Sequence, residues 1–188
     1  MDNLYISADL NLFNEKEAEK YHMSVEDYNN LIIASWNSVI KDDDYVLLLG
    51  VISCGGKEDT LQLIGKMNGK KRIIDYDSQK NKFSKQDWFD MGIAEVMNIN
   101  GWARGIIEGK ESGVVICTSK PYYEELVNKH EEVYIAAPSS TTGIDEMFAG
   151  KTISLSAKFW SFFPISYNDL PMLIDNQLLF KEMQKRDE

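Results

Sequence analysis

The sequence predicts a single α/β domain, and three observations carry the prediction. β-favouring apolar runs alternate with stretches of helical period through the first 75 residues, the order of a layered sheet with helices on it. One of these runs, YVLLLGVIS, is apolar on both faces, as a central strand covered on each side must be. No repeat, low-complexity tract or Pro/Ser-rich linker interrupts the chain, so residues 1–188 are expected to form one domain.

The opening NLYISA is short, β-favouring and apolar at alternate positions, which predicts a first strand. A long helix follows. Ser24 with Asp27 three residues on resembles a capping box, and Tyr28, Leu31, Ile32, Ser35, Trp36 and Val39 recur at the spacing of one buried helical face. DDDYVLLLGVIS then reads as a turn feeding the central strand. A second helix is expected from about Lys57, with Leu61, Leu63, Ile64 and Met67 on its buried face. Asn68 and Gly69 supply the left-handed turn that ends it before strand KKRIID. IAEVMNI and WARGIIE, either side of Asn100 and Gly101, suggest a hairpin. GVVICTS is a short buried strand, residues 122–129 are expected to be helical, and EVYIAA is a further strand. KTISLSAKFWSFF suggests paired strands, and a C-terminal helix is expected from about Asn168.

Composition narrows the function classes. With 44% hydrophobic residues the chain can bury a full core, yet no apolar run is long enough to span a bilayer and the N-terminus lacks the regions of a signal peptide. A cytoplasmic protein is expected. A formal charge of -10 opposes binding to nucleic acid or anionic membrane, so neither is expected as a partner. Lys70, Lys71 and Arg72 open a strand, and Lys181, Lys185 and Arg186 sit among acids on the terminal helix, so neither group reads as a basic patch. Asp42, Asp43 and Asp44 lack the alternating ligands and closing glutamate of a calcium loop, and read as a solvated turn. Cys54 and Cys117 have no partner at metal or redox spacing and are expected to be reduced and structural.

No complete catalytic constellation is legible. GVISCGGK is a glycine-bearing strand-to-helix turn, but it has five residues between Gly50 and Gly56 where a Walker loop has four, and Glu58 stands where Ser or Thr would reach magnesium. A tight turn is the simpler reading. Cys54 has no base beside it in sequence, because His22 and His130 both fall beside helices, and two histidines with two scattered cysteines do not make a zinc site. Metal chemistry would have to use carboxylates. Asp9, Asp75 and Asp77 each fall at the C-terminal end of an expected strand, where open α/β sheets place their ligand crevice.

Those strand ends carry a resemblance. YISADLNLFN is similar to the first strand and Asp-x-His turn of the calcineurin-like metallophosphoesterases, in particular their small bacterial and phage members. WNSVIKDDDYVLLLGVIS resembles the segment that ends in that family's Gly-Asp motif. MNGKKRIIDYDS stands where an Asn-Gly turn, basic residues and a strand lead into Gly-Asn-His-Asp. FWSFFPISYNDL is similar to the closing pattern of the family, held here by Trp160, Pro164, Ser166 and Asp169. The resemblance runs nearly end to end and implies a layered α/β/β/α sandwich of the metallo-dependent phosphatase kind.

In that family acids, histidines and an asparagine hold two metal ions that generate a hydroxide and clamp a phosphoester. Here only Asp9 matches. Asn11 and Asn14 stand where the resemblance would put histidines, and Val51 replaces the bridging aspartate of Gly-Asp. Tyr76, Asp77 and Ser78 fall where Asn, His and Asp would lie. Ser119, in TSKP, and the segment AAPSS from Ala136 replace two further histidine-bearing turns. Loss of one such ligand costs roughly a hundredfold in metal affinity, and loss of the bridge removes the geometry altogether. The expectation is a vestigial cleft formed by Asp9, Asn11, Val51, Asp75, Tyr76, Asp77, Ser78 and Ser119, with Ser53 also on its lining, and with no two-metal centre or other cofactor. A single magnesium held weakly by Asp9, Asp75 and Asp77 is the residual metal reading.

The leading function is accordingly a catalytically inactive relative that binds a protein or small-molecule ligand. Its alternatives are an altered phosphoesterase that works with one metal or none, and a homo-oligomer subunit associating through the aromatics from Trp160 to Phe163.

Overall fold

The computed structural model describes residues 3–74, 83–97, 102–103, 114–117, 133–138, 148–149, 152–170, 172–173 and 176. The chain enters as strand β1 (Leu4–Ala8), then passes through helices α1 (Glu15–Lys20) and α2 (Val25–Val39). It continues as β2 (Tyr45–Leu49), α3 (Lys57–Ile64), β3 (Lys70–Ile73), α4 (Lys85–Asp90) and β4 (Glu95–Val96). After these come β5 (Trp102–Ala103), β6 (Val114–Cys117), β7 (Val133–Ala137), β8 (Phe148–Ala149), β9 (Thr152–Ser154) and β10 (Ile165–Ser166).

The fold is α/β, built on two mixed five-stranded sheets ordered β10-β1-β2-β3-β4 and β5-β6-β7-β9-β8. In the first, β1 to β4 run parallel and β10 closes one edge antiparallel, with Ile6 opposite both Leu47 and Ile165. In the second, β6, β7 and β9 are parallel, and β5 and β8 are the antiparallel edges.

Alternation along the strands decides which layer meets which. Val46, Leu48 and Ile73 face a core built with Ile32, Trp36, Ile64 and Trp88 from the helices. Ile6, Ala8, Leu47 and Leu49 face the other way, onto Ile153, Leu155, Ile165 and Tyr167. The first sheet thus carries helices on one face and β9 with the C-terminal segment on the other. Each fully buried Ile or Leu contributes about 1.5–3 kcal/mol, so burial on both faces makes β1 and β2 the centre of the molecule.

Several expectations hold and several are corrected. Ser24 caps α2 by accepting from the Asp27 amide at 3.1 Å, and Gly69 takes the left-handed φ of 85° before β3. Leu61, expected on the buried face of α3, is exposed; Thr60, whose hydroxyl bonds that of Ser53, is buried in its place. Among the described residues, the two segments expected to form a hairpin around Asn100 and Gly101 do not pair with each other. β4 extends the first sheet parallel to β3, whereas β5 pairs with β6 in the second. Among the described residues of KTISLSAKFWSFF, only Thr152–Ser154 is a named strand, and Ala157–Trp160 forms a 3-10 turn. Asp44 is buried rather than solvated: its carboxylate accepts from the Lys41 amide at 2.8 Å and from Asn3 Nδ2 at 3.1 Å. The expected helix over 122–129 lies outside the described residues.

Helix α4 begins in a full capping box of Ser84 and Asp87, and Lys57 of α3 reaches both Asp87 and Asp90, the latter at 3.2 Å. Hydrogen bonds from Lys57 and Ser84 hold the Asp87 carboxyl down to about 2 from its ordinary 3.8. A depressed acid stabilises the fold above its unfolded value, and that contribution is lost as pH falls from 3.8 to about 2. Lys57→Met should therefore lower the melting temperature slightly at pH 6 and not at pH 2, because the pair is solvent-screened and worth little. Parallel thermal melts of the two proteins check this; an equal deficit at both pH values would assign the loss to the lysine's hydrocarbon packing instead.

Candidate functional site

The parallel strands of both sheets end on one side, and the segments leaving β1, β2 and β7 meet there. Asp9 follows β1, Gly50 follows β2 and Pro138 follows β7; a Cβ placed on Gly50 would lie 2.2 Å from Asp9 Oδ1 and 3.1 Å from Pro138 Cβ. The backbone of Ala8 pairs with that of Ser156 beyond β9, through Ala8 N to Leu155 O at 3.0 Å. Two of the expected site segments, residues 9–14 and 50–54, are thus brought together, and Pro138 of AAPSS reaches them. Asp75, Tyr76, Asp77, Ser78 and Ser119 lie outside the described residues.

The segment after β1 is held in a conformation that L-residues adopt at a cost. Asp9, Asn11 and Phe13 have φ of 50°, 53° and 59°. Each left-handed residue costs about 1–2 kcal/mol, least for Asp and Asn, so the surroundings must over-determine the path. They do so by continuing the β1–β2 pairing as a ladder: Asn11 N donates to Val51 O at 3.1 Å, Leu12 N to Ile52 O at 3.0 Å and Cys54 N to Leu12 O at 2.7 Å.

The polar side chains here hold backbone. Asp9 is buried and its Oδ1 accepts from Val51 N at 3.2 Å. Asn11 Nδ2 donates to Asp9 O at 2.9 Å. Asn14, matched above to a histidine position, is the N-cap of α1 and accepts from Glu17 N at 3.2 Å. Ser53, expected to line the cleft, is instead 2% exposed; its hydroxyl bonds Thr60 Oγ1 at 2.7 Å and accepts from Gly55 N at 3.1 Å. α1 and its Asn14 cap were missed in the sequence, although Asn14 followed by Glu15 and Glu17 is an N-terminal signature.

The same local closure explains the glycine turn. A Cβ on Gly55 would stand 2.5 Å from the Phe13 ring, so glycine is required there by a close approach of an aromatic side chain. Lys57, the lysine of GGK, is turned to Asp87 and Asp90 of α4. The basic residues of β3 are likewise engaged. Lys71 is buried and donates to the carbonyls of Met67 and Gly69, with its pKa lowered mainly by that burial, while Lys70 and Arg72 flank the Tyr45 ring at 5.0 and 4.5 Å.

Among the described residues, no group of three or more His, Cys, Asp or Glu side chains could hold a metal. Asp9 is the one carboxylate among the described positions that the resemblance matches to metal ligands, and its Oδ1 accepts from a backbone amide. In the aromatic segment near the end of the chain, Trp160 Nε1 donates to Ser154 O at 2.7 Å and Phe162 packs on Tyr21 and Tyr28, which leaves Phe163 as its exposed ring. No helix of the described residues is long and apolar enough to cross a membrane.

No protein-family profile matches the chain, and no curated protein does. It is similar in structure to a protein of unknown function from Aquifex aeolicus, with a TM-score of 0.63 and 12% identity over 92% of this chain and 100% of that one. At that identity the likeness is one of fold alone.

Proposed function

We propose that this chain is a non-catalytic relative of the metallophosphoesterases, a cytoplasmic four-layer α/β/β/α protein whose strand-end crevice binds a protein or small ligand in place of two metals. The reading is carried by one observation: Asp9, Asn11, Asn14 and Ser53, the polar residues of the two described segments, each hold local backbone. A hydrolytic centre needs such groups turned outward onto cations or a reacting water. The element order and the helix–sheet–sheet layering also support it, as does the position of the crevice at the ends of the parallel strands.

Hydrolysis of bis(p-nitrophenyl) phosphate and p-nitrophenyl phosphate, each with manganese and with magnesium, tests the reading. The expected result is turnover no faster than that of Asp9→Ala, with less than about a tenth of an equivalent of transition metal in the purified protein, since two-metal catalysis needs near-stoichiometric occupancy. Robust turnover that disappears in Asp9→Ala would establish the hydrolase in its place, with Asp75 and Asp77 as the acids to replace next.

A further inference from the structure

A second concavity lies away from the strand ends, between the first two turns of α2 and the length of α3. It encloses about 360 Å³, within the range of small-molecule sites. Its floor is apolar, made by Phe13, Val25 and Leu63. Its mouth carries two carboxylates, Glu26 and Asp59, against one ammonium, Lys66.

Asn29 makes this more than a surface dent. The residue is 3% exposed and lines the cleft, yet only half of its amide is used inside the protein. Oδ1 accepts from Phe13 N at 2.9 Å, and among the described residues nothing accepts from Nδ2. Nδ2 is not among the buried unpartnered atoms, so it keeps access to the cleft, where a ligand's acceptor would take the place of water.

We infer that this cleft binds a small apolar ammonium compound that also carries a hydrogen-bond acceptor, such as an aryl-alkyl amine bearing a carbonyl. The aryl or alkyl group occupies the floor, the carbonyl accepts from Asn29 Nδ2, and the ammonium sits between Glu26 and Asp59. The net charge of -10 on the chain draws such a cation and repels a carboxylate of the same size. Phe13 and Asn29 also tie the cleft to the loop of Asp9 and Asn11, since the Phe13 ring packs on Gly55.

Phenylalaninamide, 3-phenylpropanoate and phenylalanyl-tetraglycine, titrated into the full chain and followed by amide NMR shifts, test the assignment. The expected result is saturable binding of phenylalaninamide with shifts at Phe13, Asn29 and Leu63, and no competition by 3-phenylpropanoate. The peptide should bind more weakly, because its chain must leave through the mouth. Glu26→Gln with Asp59→Asn should weaken the amide about tenfold, the combined value of two exposed ion pairs. Val25→Trp should abolish binding by filling the floor; Gln62→Trp fills it from the α3 wall should the first variant not fold. No saturation by 10 mM, equal binding of the carboxylate, tighter binding of the peptide, or binding that survives a folded tryptophan variant would each overturn the proposal.

Discussion

Trp36→Ala should lower the unfolding free energy by about 3–5 kcal/mol, the usual cost of removing a buried indole. The side chain is fully buried in the core between α2 and the first sheet, and its Nε1 donates to Asn68 O at 3.0 Å. The second interaction matters because the Asn68 turn is tied to α2 at several points. Asn37 Oδ1 accepts from Asn68 N at 2.9 Å, Asn68 Nδ2 donates to Ile40 O at 3.0 Å and Asn37 Nδ2 donates to Lys66 O at 2.8 Å. Trp36→Phe keeps most of the packing and loses that hydrogen bond, so it should cost about 1–2 kcal/mol. Urea unfolding measures both, with the midpoint falling and the slope unchanged. If alanine and phenylalanine cost the same, the hydrogen bond and not the packing would dominate. Since a domain of this size has only about 5–15 kcal/mol to lose, the alanine variant should be marginal at body temperature.

Gly50→Ala is expected to destabilise by about 2–5 kcal/mol. Part of this is backbone strain, because Gly50 has a φ of 65° and a left-handed alanine costs about 1–2 kcal/mol. The rest comes from the Asp9 carboxylate, whose Oδ1 lies 2.2 Å from where the new Cβ would stand and would have to leave the Val51 amide. A lost hydrogen bond to a buried charged group costs about 1–3 kcal/mol. Gly92→Ala separates the two contributions. Gly92 has a φ of 83° with nothing within 4 Å of an added Cβ, so it should show the strain alone. Equal losses at the two sites, read by urea unfolding, would mean that the Asp9–Val51 contact carries no stability. Asp9→Ala in the Gly50→Ala background should recover part of the loss, since the clashing oxygen is then gone.

The elements that were legible in the sequence are those whose signal is local. The Ser24 cap, the two-sided apolar run of β2 and the Asn68–Gly69 turn are each set by a handful of neighbouring residues, and each appears where the pattern puts it. Elements decided by a distant partner were misread. IAEVMNI and WARGIIE each have a strand's composition, but whether they pair with each other depends on free edges elsewhere: β3 offers one to β4, and β6 offers another to β5. Leu61 was assigned inward by spacing alone, whereas the Ser53–Thr60 hydroxyl pair rotates α3 so that Thr60 faces in.

The candidate site divides in the same way. By itself the sequence determined which residue types stand at the strand ends: Asp9 alone of the expected acids and histidines in the two described segments, with Asn11, Val51 and Ser53 around it. Composition at a position is a local property, and no fold is needed to read it. Only the tertiary structure decided what those side chains do. Asp9 closes onto Val51 because β1 and β2 run parallel and in register and so bring residues some forty positions apart within hydrogen-bonding distance, while Asn11 closes onto its own loop and Ser53 onto Thr60 of α3. The cleft between α2 and α3 was invisible for the same reason: its floor joins Phe13, Val25 and Leu63, which no periodicity along one helix connects.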